Sequence, residues 1–170
     1  MKLLSIIIIA LCFVGFSAVN AEAQKSKTII LVRHAEKDVS DSADEIDPDL
    51  SAAGRERAER LLKVVRKYRP GAVYSSNYRR TRETVEPIAK HRGLEIQTYD
   101  PKAQDKLIDQ IMSSRTKRFV VAGHSNTVPL LANLLIKKEI FKPLDDGEYG
   151  TIWIIRMKRG RPPRVELMNY

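Results

Sequence analysis

Cysteine is all but missing from this chain: Cys12 is the only one in 170 residues. It sits inside an N-terminal apolar run, with Leu11 before it and more hydrophobic residues after it. The small residue that precedes a lipid-attachment cysteine is therefore missing too. A chain cut beyond that run holds no thiol, which excludes disulfides and thiol catalysis and makes an oxidising compartment harmless. Histidine is scarce, with three in all. They form neither His-x-His nor His-x-x-x-His, so the spacing of a zinc site is absent. Low-complexity tracts, internal repeats and a dividing linker are absent as well. Acidic residues are outnumbered, 21 against 30 lysines and arginines, for a net charge of +9. Lys2 and Glu22 cancel within residues 1–24, so their removal leaves that charge unchanged. Such a surface favours anionic partners, whether phosphorylated molecules, nucleic acid or acidic membrane, without choosing among them.

What is present fits one domain with a core: 43% of residues are hydrophobic and 30% charged. The N-terminus is of a different class. Met1-Lys2 supplies a charge, and Leu3 to Val19 is apolar but for Ser5, Gly15 and Ser17. Ala21-Glu22-Ala23 then gives a small-x-small pattern. This is the layout of a secretory signal peptide over residues 1–23, cut after Ala21 or Ala23, ahead of a domain over residues 25–170. The run is short for an uncleaved anchor helix. An exported protein, periplasmic or extracellular, with no stable membrane anchor after cleavage, is expected.

Hydrophobic patterning sets the expected elements. A β-branched run from Lys27 to Val32 reads as a buried first strand. Residues 36–49, with five aspartates and Pro48, read as a solvated loop without calcium-loop spacing. Ser51 caps a helix to about Tyr68, with Ala58, Leu61, Leu62 and Val65 on one stripe. A strand over Ala72–Ser75 leads to a helix from Arg79 to His91, stopped at Gly93 and kinked or shortened by Pro87. Then come a strand over Leu94–Tyr99, a helix over 103–114, a strand over Arg118–Ala122 and a helix over Asn126–Lys137. Two last strands, 150–157 and 163–168, flank Gly160-Arg161-Pro162-Pro163. Alternating strands and helices predict an α/β fold, a mostly parallel sheet covered on both faces. In such sheets ligands sit at the carboxyl ends of strands.

Two histidines fall at those ends. His34 follows the first strand, directly after Arg33, and His124 follows the fourth, after Gly123. His91 falls near a helix C-terminus, a structural or neutral place. Arg79, Arg80 and Arg82 open the helix after the second strand, at the same sheet edge. Guanidinium groups take phosphate oxygens through paired hydrogen bonds, and helix N-termini add donors. Histidines and arginines meeting there make an anion site that contains a nucleophile.

Arg33-His34 resembles the signature of the histidine phosphatase superfamily, the phosphoglycerate mutase-like proteins. Ser76, Arg80 and Thr84, at spacings of four, resemble its second motif. Gly123-His124-Ser125-Asn126 resembles its third, and Leu50-Ser51-Ala52-Ala53-Gly54 the opening of its first helix. The resemblance implies a three-layer αβα sandwich and a phosphatase that needs no metal or other cofactor. His34 would attack phosphorus and form a phosphohistidine, while Arg33, Arg80 and His124 hold the equatorial oxygens. Many relatives place an acidic proton donor after the third strand. Asp100 stands there, either as that donor or as an Asp-Pro turn starter, with Asp105 and Glu36 as further candidates. Ala35 stands where many members have glycine, which is tolerable where the backbone needs no positive φ.

The expected partner is a small phosphorylated substrate rather than nucleic acid. Three other readings compete: a mutase, a silent phospho-ligand binder, and a DNA-binding protein suggested by Lys158-Arg159-Gly160-Arg161-Pro162-Pro163-Arg164. That basic stretch lies between two apparent strands, so a hairpin turn is its simpler reading.

Overall fold

The computed structural model describes residues 26–40 and 43–170. The expected signal peptide lies outside the described residues. Six strands and four helices follow in the order β1 (Lys27–Arg33), α1 (Ala52–Val65), β2 (Ala72–Ser75), α2 (Arg79–Arg92), β3 (Ile96–Thr98), α3 (Gln104–Ser113), β4 (Arg118–Gly123), α4 (Thr127–Ile136), β5 (Thr151–Lys158) and β6 (Arg161–Asn169), with a 3-10 turn at Arg66–Tyr68 after α1.

The strands form one sheet in the order β3-β2-β4-β1-β5-β6. The pairs β1–β4, β2–β4 and β2–β3 are parallel, whereas β1–β5 and β5–β6 are antiparallel. The sheet is thus mixed rather than mostly parallel. The reason is length: only Arg159 and Gly160 separate β5 from β6. A connection that short makes a hairpin, because a parallel return needs a crossover of a dozen or more residues. Gly160 adopts φ +68° in that turn. Pro162 and Pro163, expected in the turn, lie inside β6. An edge strand tolerates their missing donors.

Burial explains why β1 is central. Ile29, Ile30, Leu31 and Val32 are all fully buried, and alternate residues face opposite sides. Ile29 and Leu31 pack with Leu107 and Ile111 of α3 and Val128 and Leu131 of α4. Ile30 and Val32 pack with Leu61 and Val65 of α1 and Val85 and Ile88 of α2. Helices therefore cover both faces. α2 runs on through Pro87 to Arg92 and is not shortened, with Val85, Ile88 and Ala89 buried around the proline. Gly93, at φ +62°, caps it by donating to Ala89 and Lys90 carbonyls.

The first turn of α1 is locked to the chain beyond β1. Ser51 Oγ accepts from Gly54 N at 3.1 Å, the expected N-cap. Ser51 N donates to the Glu36 carbonyl at 2.9 Å. Glu36 itself is clasped by Arg57, whose Nε lies 2.8 Å from both carboxylate oxygens.

Candidate active site

The parallel half of the sheet brings the carboxyl ends of β1, β2 and β4 together. His34 N donates to the Gly123 carbonyl at 2.9 Å, extending the β1–β4 ladder by one residue. This fixes the two histidine-bearing loops side by side. The His34 and His124 ring centroids are 5.5 Å apart. Gly123 has little choice of residue type: a Cβ there would lie 2.8 Å from the Tyr99 hydroxyl and 3.0 Å from Thr127 Oγ1. His124 N donates to that same Thr127 oxygen at 3.0 Å, turning the chain into α4.

Thr84 ties α2 to the nucleophile loop. Its Oγ1 accepts from Ala35 N at 2.9 Å and donates to the Arg80 carbonyl at 2.7 Å. Ala35 is buried and its backbone stays at negative φ, since the non-glycine residues with positive φ among the described ones are Arg69 and Lys137. No glycine is needed there. Of the three arginines that open α2, Arg80 alone faces the histidines: its Nε donates to His34 Nε2 at 3.4 Å. Arg79 turns to Asp44 and Asp49, and Arg82 to Thr98.

The state of His34 follows from its neighbours. Its Nδ1 lies 2.8 Å from the Ala35 carbonyl, which can only accept, so the proton sits on Nδ1 and Nε2 keeps a lone pair. Burial lowers its pKa to about 3, against the opposing Ala35 hydrogen bond, with Arg80, His124 and Arg33 adding to the drop. Burial first, then Arg80 and Arg33, lowers that of His124 to about 4. Both rings are neutral at physiological pH. His124 Nε2 is 2.9 Å from the hydroxyl of Ser76, which is fully buried.

Arg33 is buried beside them, 4% exposed. Its Nη1 donates to the carbonyls of Asp145 and Glu148 at 2.8 and 2.9 Å, and its guanidinium stacks on Tyr149 at 4.1 Å. Its Nε is buried without a partner. An orphaned guanidinium donor is what an oxyanion would satisfy.

The expected proton donors fare differently. Asp100 is exposed, its Oδ1 accepts from Lys102 N at 2.8 Å, and its carbonyl accepts from Ala103 N. No hydrogen bond, ion pair or ring contact joins it to the two histidines, Arg33 or Arg80. Asp105 is exposed in the first turn of α3, and Glu36 is held by Arg57. His91 is exposed near the end of α2.

Three residues at the site carried no sequence signal. Asp47 Oδ1 lies 3.5 Å from Arg80 Nη1 and also accepts from Arg79 N. The loop that read as solvated is thereby pinned to α2. Tyr78 stands edge-on to His124, ring centroids 5.0 Å apart, and stacks against Arg80 at 4.6 Å. Tyr149 lies 6.1 Å from the His34 ring. Among the described residues, no three histidine, aspartate, glutamate or cysteine side chains gather as a metal site would require.

Comparison with known proteins agrees with this layout. Residues 29–101 match the model of the histidine phosphatase superfamily (branch 1). That stretch holds Arg33, His34, Ser76, Arg80 and Thr84 and stops short of His124. A search of the curated proteins gives no match. Among solved structures, a mycobacterial hydrolase superposes with a TM-score of 0.68 at 15% identity, over 86% of this chain and 99% of its own. A mycobacterial glucosyl-3-phosphoglycerate phosphatase gives 0.65 at 15%, over 85% and 98%. The protein histidine phosphatase SixA complexed with tungstate gives 0.66 at 13%, over 84% and 96%. These likenesses establish a shared fold, and the matched segment is similar to the histidine phosphatase superfamily (branch 1) over residues 29–101.

Proposed function

We propose that the protein is a metal-independent phosphatase that hydrolyses phosphate monoesters or phosphohistidine through a covalent intermediate on His34. One observation carries this reading: His34 Nε2, left unprotonated by the Nδ1 bond to the Ala35 carbonyl, lies 3.4 Å from Arg80 Nε, with the His124 ring 5.5 Å away. In the first step Nε2 attacks phosphorus and the bond to the leaving group breaks, taking its electron pair with it. In the second, water attacks phosphorus, the P–N bond breaks, and His34 regains its lone pair. Arg33, Arg80 and His124 hold the three equatorial oxygens and spread their charge. The phosphatase named among the structural neighbours and the tungstate-bound histidine phosphatase support the same chemistry.

The leaving group narrows the choice. Asp47 is the one carboxylate that touches this set of histidines and arginines among the described residues. Asp100 spends its Oδ1 and its carbonyl on hydrogen bonds within its own turn. A site poor in acids suits leaving groups that need little help, and a phosphorylated imidazole is one. The N-terminal pattern supports export, to the periplasm or beyond.

The test is hydrolysis of p-nitrophenyl phosphate with chelator present, beside His34→Ala. Turnover is expected in the wild type and its loss, by about 10⁴-fold or more, in the variant. An acid-labile phosphoprotein trapped during turnover identifies the intermediate. Activity that requires an added divalent metal would overturn the mechanism. Phosphohistidine is expected to be cleaved faster than an alkyl phosphate.

A further inference from the structure

β5 and β6 carry an arrangement that hairpins normally avoid. Residues directly opposite across an antiparallel pair put their side chains on one face, where like charges repel. Here Arg156 faces Arg164, and Lys158 faces Arg161. These four, with Pro162, line one groove. Lys158, Arg161 and Arg164 are exposed, and so is Arg159 in the turn. Among the described residues one carboxylate pairs with the set: Glu166, 2.6 Å from Arg156. The repulsion is left for a polyanion to relieve.

The groove's position says which polyanion. Lys27 is the register partner of Met157, so the hairpin tip lies beyond the start of β1, and His34 lies beyond its end. Seven residues of strand put these ends about 23 Å apart. Exposed Arg115, Lys117 and Arg118 lie at the same basic end, because Arg118 pairs with Thr28. We infer that the β5–β6 hairpin is a docking site for an anionic phospholipid surface, which holds the basic end of the sheet against the bilayer and leaves the His34 mouth facing solvent. This does not depend on the phosphatase reading.

Protein purified as the expressing cell delivers it would be sedimented with vesicles of phosphatidylcholine alone, and with vesicles containing phosphatidylglycerol. Each basic residue near an anionic surface multiplies binding by about fivefold. The expected preference for the anionic vesicles exceeds about 25-fold at low salt and shrinks as salt shortens the Debye length. An apolar segment inserts without regard to headgroup, so the preference reads the basic end of the sheet, and a variant assigns it to the hairpin. Replacing Arg161→Ser and Arg164→Ser together should cut it by about 25-fold. The circular dichroism spectrum and thermal melt of that variant should match the wild type's, which shows that it has folded. Equal partitioning to both vesicle types would overturn the inference, as would a double variant that keeps the preference. Duplex DNA that strips the protein from anionic vesicles at equal phosphate concentration would assign the groove to nucleic acid and also overturn it.

Discussion

His34 and Arg33 are neighbours in the chain but are prepared in opposite ways. The imidazole is kept neutral by burial, with its Nδ1 proton donated to the Ala35 carbonyl and its unprotonated Nε2 turned to Arg80. The guanidinium is fully committed on one side, to two carbonyls and the Tyr149 ring, and left with an unpartnered Nε on another. A buried donor without a partner costs about 1–3 kcal/mol, which an arriving oxyanion returns. Lysine could not do this, because a point charge cannot grip the Asp145 and Glu148 carbonyls while also presenting a planar edge. Arg33→Lys is therefore expected to fold, keep the net charge, and lose about 10²-fold in kcat/KM. Steady-state kinetics and circular dichroism of the one variant check both halves. Near-normal kcat/KM would mean that Arg33 only braces the loop around Asp145.

One step up in scale, the site depends on how α1 is seated against the segment after β1. Gly54 shows how tight that seating is. A Cβ there would lie 2.2 Å from the Glu36 carbonyl oxygen and 3.1 Å from its carbon, both backbone atoms that no rotamer can move. Gly54→Ala must push α1 off that segment or shift Glu36, two residues from the nucleophile. A loss of about 3 kcal/mol is expected, a fall in Tm of about 6–12 °C in a domain of this size. Activity should fall with it even below the melting range. A thermal melt beside an assay at low temperature separates the two effects. The same glycine was visible in the sequence only as part of Leu50-Ser51-Ala52-Ala53-Gly54, with no hint of what it touched. Legibility followed that pattern throughout. β1, β2 and β4 were readable because short β-branched runs between turn residues have little else to become. β3 was read longer than it is, since Leu94, Glu95 and Tyr99 flank an edge strand of three residues. The direction of β5 was misread because alternating strands and helices argue for parallel pairing. The reversal over 158–164 was readable as a hairpin turn, but Pro162 and Pro163 look like loop and hid how short it is. At the site, Arg33, His34, Arg80 and His124 were legible because each sits at a strand end or a helix start. Tyr149, Tyr78 and Asp47 were not. Each reaches the site from a polar loop or cap, and only the fold determines where such segments lie.

For the molecule as a whole, two buried neutral histidines make stability depend on pH. In the unfolded chain a histidine titrates near 6.5, whereas in the folded protein burial lowers His34 to about 3 and His124 to about 4. Between those values the unfolded state binds more protons, so stability rises with pH there. The contribution is fully present above pH 6.5 and is lost as pH falls toward 4. Each histidine adds a slope of at most about 1.4 kcal/mol per pH unit. Carboxylates act elsewhere on the scale. Glu36, paired with Arg57, and Asp38 and Asp44, hydrogen-bonded in their own turns, are all lowered, so their losses fall below the ordinary carboxylate range. Glu83 is raised by burial and opposes the trend. Urea melts at steps from pH 7.5 to 5 should therefore show stability declining below 6.5. The decline should flatten in a His34→Gln/His124→Gln double variant, which has no ring to protonate. Sulfate, divalent across this range, should flatten it in the wild type as well, because a dianion between Arg33 and Arg80 removes the penalty on charging either imidazole. A wild-type profile already flat between pH 6.5 and 5 would show that the two rings stay solvated enough to titrate normally. The neutral nucleophile would then lose its physical basis along with the stability argument.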